Sequence, residues 1–157
     1  MDIRQLRAGN LVTTNGKPAG TTNGNIYKIL DTNSANRLDE LKLIGGATIE
    51  ILDGEYRTTV GAWIDYLEPI EITCDLLRKI GFESENYKLF VTKIDKYEIC
   101  IFGSDSLCGD NETYTLSICD DDDDQILESN VVYFHTLQNI IFDITDLELN
   151  VDNLITK

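Results

Sequence analysis

An α+β fold dominated by antiparallel strands follows from three features of the chain. Short stretches of alternating apolar and polar residues recur along it, turn-forming residues separate them, and only two segments carry a helical pattern. The expected organisation is a β-meander over residues 1–72, read as a partly closed, SH3-like barrel. A second part over 73–157 follows, with a helix, an antiparallel sheet and a C-terminal helix, and the two parts are expected to pack as one unit.

The first part opens with an apolar pair, Leu11-Val12, and then NGKPAGTTNG from Asn15 to Gly24, which has three glycines, a proline and no apolar residue larger than Ala. That composition predicts a mobile hairpin loop leading to a strand at Ile26 to Leu30. It is not a phosphate-binding loop, because Gly20 is followed by Thr-Thr-Asn and a strand instead of Lys-Ser/Thr and a helix. Alternation resumes with Leu41 and Leu43, then Ile49 and Ile51 flanked by Thr48 and Glu50. Asp53-Gly54 between ATIEIL and EYRTTV marks a tight hairpin, since a type I′ turn needs positive φ at both central residues. A further strand is expected through Ile64, Tyr66 and Ile70, with Pro69 placing it at a sheet edge and Trp63 plugging the core.

Both ends of the first helix are written in the sequence. Thr73 stands at the N-cap, Ile72 and Leu77 are spaced as a hydrophobic staple, and Asp75 and Arg78-Lys79 complement the helix dipole. Gly81 supplies a left-handed stop, and Phe82 falls where a Schellman motif places its apolar contact with Leu77. The helix therefore runs from Cys74 to Ile80. Strands follow at Tyr87 to Ile94 and Tyr97 to Phe102, joined at Asp95-Lys96, and at Tyr114 to Cys119, with a polar loop over Gly103 to Thr113. A last strand is expected at Val131 to Phe134. The second helix then starts near Thr136, its stripe formed by Leu137, Ile140, Ile141 and Ile144, with Gln138, Asn139 and Asp143 on the other faces. The tail ELNVDNLITK adds a strand or frays.

Charge separates the two parts. The chain carries 13 basic and 28 acidic side chains for a net −15; residues 1–72 hold 7 and 10 (−3), and residues 73–157 hold 6 and 18 (−12). Such a field repels phosphate backbones, so direct nucleic-acid binding is not expected, and the second part suits a basic partner surface. No apolar run approaches the roughly 20 residues that span a bilayer, and the opening MDIRQLRAGN lacks the apolar stretch of a signal peptide; a cytoplasmic location is expected. Cys74, Cys100, Cys108 and Cys119 show no C-x-x-C spacing and read as reduced thiols.

Few constellations carry chemistry. The run Asp120 to Asp124 fails the calcium-loop pattern, because the sixth position is Gln125 and the twelfth Val131, and it reads as a solvated turn. The stretch DSLCGDNE is as acidic and as far from a template. His135, the lone histidine, is the one side chain that titrates near neutrality without perturbation. Its position at a strand-to-helix junction fits capping or packing as well as catalysis. Tyr87, Tyr97, Tyr114 and Tyr133 alternate on strand faces, as half-exposed sheets and binding surfaces both allow. No cofactor, metal or catalytic residue is assigned.

Four stretches, IRQLRAGNLV, LEPIEIT with DLLRKIGFE, VVYFHTLQNIIFDIT and DLEL, together resemble small uncharacterised proteins of phages, prophages and mobile elements of gut Bacteroidetes. The shared pattern falls on Gly9, Asn10 and Val12, on Glu68, Pro69, Ile70, Thr73, Leu76, Leu77, Gly81 and Phe82, and on Tyr133, His135, Leu137, Gln138, Asn139, Phe142 and Thr145. Glu71 stands where the pattern has Pro, Asp146 where it has Gly, and Ile140-Ile141 where it has an aromatic pair. Losing that Gly predicts a less sharply defined end to the second helix. His135, Gln138 and Asn139 are not explained as an exposed helix face, and with Tyr133, Arg7 and Asn10 they form the candidate binding set. The shared motifs are architectural and define no activity; the expectation is a phage- or mobile-element-encoded accessory protein in the host cytoplasm that acts by non-catalytic binding. The expected action is inhibition of a host anti-phage system, through a host protein or by sequestering a small signalling nucleotide, with Arg4, Arg7 and Arg57 available to line a pocket. The alternatives are a virion component held in a homo-oligomer through sheet edges and, from a third class, a metal-assisted hydrolase.

Overall fold

The computed structural model describes residues 2–39, 42–53, 56–84, 88–103, 114–121 and 125–154. The fold is α+β, and among the described residues antiparallel strands predominate over helix and form two sheets, one of five strands and one of four. Two compact units divide at Ile70/Glu71, the first beginning at Met1 and the second covering Glu71–Leu154.

In the first unit β1 (Leu11–Thr14), β2 (Ile26–Asp39), β3 (Lys42–Asp53), β4 (Tyr56–Trp63) and β5 (Leu67–Glu68) pair in the order β4-β3-β2-β1-β5. β4 and β5 end the order and are not paired with each other, so the sheet is not a closed barrel. β2 is long because two register shifts against β3, between Ile29 and Asp31 and between Asp31 and Ala35, let it bend without leaving the ladder. The core lies on one sheet face, with Leu6, Val12, Tyr27, Ile29, Ala47, Ile49, Ala62 and Leu67 buried together and Ile51, Val60 and Ile64 packed at their margin. Each fully buried Ile or Leu of this set contributes about 1.5–3 kcal/mol.

Three expectations for this unit change. Ile64–Tyr66 forms a 3-10 turn, and only Leu67–Glu68 is strand, immediately before Pro69; the strand is at an edge, as the proline requires. Trp63 is half-buried at the end of β4, and the core is filled by the smaller residues above. Asp53 closes the β3–β4 ladder opposite Tyr56, one position later than a central Asp53-Gly54 pair would have it, and Gly54 lies outside the described residues. The glycine-rich loop is tied at several points: Tyr27 Oη accepts from the Thr22 amide at 2.7 Å, Thr14 Oγ1 from the Gly16 amide at 3.3 Å, and the Asn15 amide donates to Tyr66 O at 3.1 Å.

In the second unit α1 (Cys74–Lys79) is built as its sequence dictates. Thr73 Oγ1 accepts from the Leu76 amide at 3.2 Å, Gly81 has φ +94°, and the Phe82 and Gly81 amides return to Leu77 O and Arg78 O. These two bonds make a Schellman motif, and the buried Leu77 and Phe82 complete it. β6 (Leu89–Ile94), β7 (Tyr97–Phe102), β8 (Tyr114–Cys119) and β9 (Gln125–Val131) pair in sequence order. The register places Phe90, Ile99, Ile101, Leu116 and Ile118 on one face, and all five are fully buried. α1 lies over β6 on that face, where the Arg78 guanidinium stands 5.6 Å from the Phe90 ring centre and Thr92 Oγ1 donates to Gly81 O. Tyr87 and residues 104–113, including Cys108, lie outside the described residues.

The end of the unit differs most from expectation. The strand is Gln125–Val131 and stops before Phe134, which begins α2 (Phe134–Thr145). Phe134, Leu137 and Ile141 are fully buried and Gln138 nearly so, whereas Ile140 and Ile144 are half-buried. The buried stripe is thus rotated towards the helix start relative to the apolar residues alone. Asp146 takes the missing glycine's place with φ +57°, its amide donating to Phe142 O at 2.8 Å, so the helix end is sharp. Beyond it the chain neither frays nor forms a strand over its described part. Leu149, Val151 and Leu154 are buried, and Asn153 Nδ2 donates to Lys79 O at 3.2 Å.

Candidate functional site

The candidate residues fall into two groups, one in each unit. Arg7 and Asn10 belong to the turn that feeds β1. Asn10 Oδ1 accepts from the Arg7 amide at 2.9 Å, and the Asn10 amide donates to Arg7 O at 3.2 Å. Gly9, with φ +93°, and Asn10 exchange backbone bonds with Ile29, each 2.8 Å. Asn10 is fully buried, so its side chain fixes the entry to the sheet and offers nothing to a ligand. Arg7 Nη1 donates to Ala8 O at 3.0 Å. Arg4 is bonded to Asp2, whose carboxyl it holds down at about 2, and Arg57 pairs with Glu50 at 3.2 Å. Each of the three arginines is thus engaged by its own local partner.

Tyr133, His135, Gln138 and Asn139 do come together, at the start of α2. Glu71 and Tyr133 form an isolated antiparallel bridge, and the Ile72 amide donates to Val132 O at 3.1 Å. The segments entering the two helices therefore run side by side. Tyr133 is the N-cap with extended backbone, and its carbonyl accepts from the Thr136 and Leu137 amides. Its own side chain makes no capping bond to the first turn. The Tyr133 ring, partly exposed, stacks on the His135 imidazole with centroids 5.8 Å apart and planes 11° from parallel.

His135 is 2% exposed, and its Nδ1 is buried with no hydrogen-bond partner among the described residues. Burial lowers its pKa below 6.5, because the charged ring would lose its hydration. The imidazole is therefore a neutral packing group at neutral pH. Gln138, one turn on and equally buried, and the half-buried Asn139 are both engaged with other groups. In the sequence these residues stand out as unsuited to an exposed face; the structure places His135 and Gln138 inside, as buried polar residues at a helix start. Tyr133 is the member that reaches solvent.

Other chemistry-bearing residues are scattered. Glu98, Cys100, Ser117 and Cys119 share the outer face of the second sheet, with Cys100 Sγ 3.9 Å from Glu98 Oε1. Partial burial and then the Glu98 carboxylate push the Cys100 thiol up to about 11, so it is not a nucleophile at neutral pH. Cys74, Cys100 and Cys119 form no disulfide among the described residues. Among the described residues no three His, Cys, Asp or Glu side chains are grouped to hold a metal, and no helix is long and apolar enough to cross a membrane. Of the aspartate run, Asp120 and Asp121 join β8 to β9, and the rest lies outside the described residues.

β9 is an element that the periodicity of the sequence does not announce. Ile126, Glu128 and Asn130 alternate with Leu127, Ser129 and Val131, a period-two signal obscured by the polar residues on both faces. Comparison with known protein families, with curated proteins and with solved structures returned no match.

Proposed function

We propose that this chain is an accessory protein of a phage or mobile element that acts by stoichiometric binding, its target a component of a host anti-phage system. The observation that carries the reading is the −12 charge concentrated in residues 73–157. Such a surface attracts a basic protein at long range and accelerates encounter, while it repels nucleic acid. Exposed apolar side chains in the same unit, Phe102, Ile126, Tyr133 and Leu147, supply area of the kind that holds a partner once it has arrived. The local engagement of Arg4, Arg7 and Arg57 favours a protein target over a sequestered nucleotide.

The test is to express the chain in bacteria that carry individual defence systems and to challenge them with phage. Restored plaque formation against one system, with a complex of fixed stoichiometry recovered from the two purified proteins, supports the reading. The virion alternative makes the opposite forecast: the chain co-purifies with intact particles and has no effect on plating. Steady turnover of a substrate, lost on His135→Ala with the fold intact, would replace both by the hydrolase.

A further inference from the structure

We infer that the free edge of β9 is the docking site, and that it takes an extended, basic segment of the partner as an added strand paired through its backbone. The inference rests on the binding reading above and gives it a place and a chemistry.

The second sheet has two ends, and among the described residues they differ. At β6 the edge is covered at Val91, which exchanges backbone hydrogen bonds of 2.8 and 2.9 Å with Glu83, and it carries Lys93. At the other end β9 pairs with β8 and with no further described strand, and Gln125, Ile126, Glu128 and Asn130 are exposed, Ile126 by 46%. An unpaired strand edge is a template for another strand, and proteins that avoid this use place Lys, Pro or a very short strand there. β9 has seven residues and none of them is Lys, Arg or Pro. Against pairing it has Glu128 and a bulge at Ile126, where Gln125 faces Cys119 and Leu127 faces Ile118; Leu127 to Val131 are in regular register. The first sheet offers no equal. β5 has two residues and is followed by Pro69, and β4 carries Arg57 in the part of the chain that holds only −3.

Charge selects the occupant. The strand carries Glu128, and of the described residues Asp120 and Asp121 precede it. A second copy of this chain would bring its own acidic half against these residues, and like charges at close range oppose that pairing. An extended segment rich in Lys or Arg meets the opposite sign along the strand and at its entrance, with main-chain bonds for affinity and side-chain charge for selection.

The test uses the full chain and two labelled peptides of equal charge, one of alternating Lys and Val and one with prolines in place of several valines. Fluorescence anisotropy is expected to show the strand-forming peptide binding about tenfold more tightly, and hydrogen exchange at Gln125–Val131 slows when it is bound. Ile126→Lys with Glu128→Lys is expected to cost about tenfold in affinity, whereas Asp143→Lys with Asp152→Lys, exposed positions elsewhere in the same unit, costs less than about threefold. Equal binding of the two peptides, equal loss in the two variants, or unchanged exchange in β9 overturns the edge assignment and leaves an acidic binder with diffuse attraction. If neither peptide binds, the edge assignment falls, while the binding reading stands or falls on the plaque assay.

Discussion

His135 shows how a single side chain changes meaning between sequence and structure. As a lone histidine at a strand-to-helix junction it invites a catalytic or ligand-binding role; buried beneath Tyr133 with an Nδ1 that has no partner among the described residues, it is a neutral group whose polar atom costs stability. His135→Leu is expected to raise the unfolding free energy by about 1 kcal/mol at pH 7, measured by urea denaturation. The pH dependence follows from the lowered pKa. Between the unfolded value of 6.5 and the lower folded value the unfolded chain binds the proton more readily, so stability falls as pH is reduced through that window. The variant lacks this fall, and parallel curves for the two proteins between pH 7 and 5 would show that the imidazole is not held neutral. Cys100 gives a second residue-scale expectation. With its pKa at about 11, the thiolate is scarce at pH 8, and alkylation followed by mass spectrometry is expected to be about a hundredfold slower there than for a free thiol. Raising the pH towards 11 restores the rate.

At the scale of elements, legibility tracks how local the causes are. α1 is readable to within a residue of its ends because its cap and stop act within one or two turns of chain, and both are in place, with Ile72 and Leu77 of the expected staple buried. α2 is readable in its middle and misplaced at its start, because Tyr133 caps without a side-chain bond and Val131 to Phe134 is an apolar run that a strand would also use. The two helix ends make a paired prediction. At Gly81, with φ +94° and open space where a Cβ would sit, Gly81→Ala costs about 1 kcal/mol through the backbone alone. At Asp146, with φ +57°, Asp146→Gly gains about 0.5–1 kcal/mol by relieving the same constraint. Opposite signs in denaturant midpoints at unchanged m-value are the expected result; a loss at both positions would mean that the Asp146 side chain stabilises the helix end beyond what its backbone costs.

Across the whole molecule, self-repulsion outweighs the attraction between charges. A net −15 is opposed by few cations, and ion pairs such as Arg4–Asp2, Arg57–Glu50, Arg78–Asp75 and Lys93–Glu98 each involve at least one exposed side chain and are of little individual worth. Salt therefore screens more repulsion than attraction. Raising NaCl from about 10 mM to about 0.5 M is expected to raise Tm by about 3–6 °C, read by calorimetry. A fall in Tm would place the ion pairs above the repulsion. The same charge bears on association, since it disfavours self-assembly and favours a basic partner at low ionic strength.

From the residues alone came the fold class, the predominance of antiparallel strands, the complete design of α1 and the acidic half, because these depend on periodicity, on caps within a few positions, and on a sum of charges. Only the tertiary structure decided that the first sheet stays open, that His135 and Gln138 lie inside, and that β9 ends its sheet unpaired among the described residues. Burial and strand order arise from contacts between segments distant in sequence, and a polar residue looks the same in a linear pattern whether it faces water or the core.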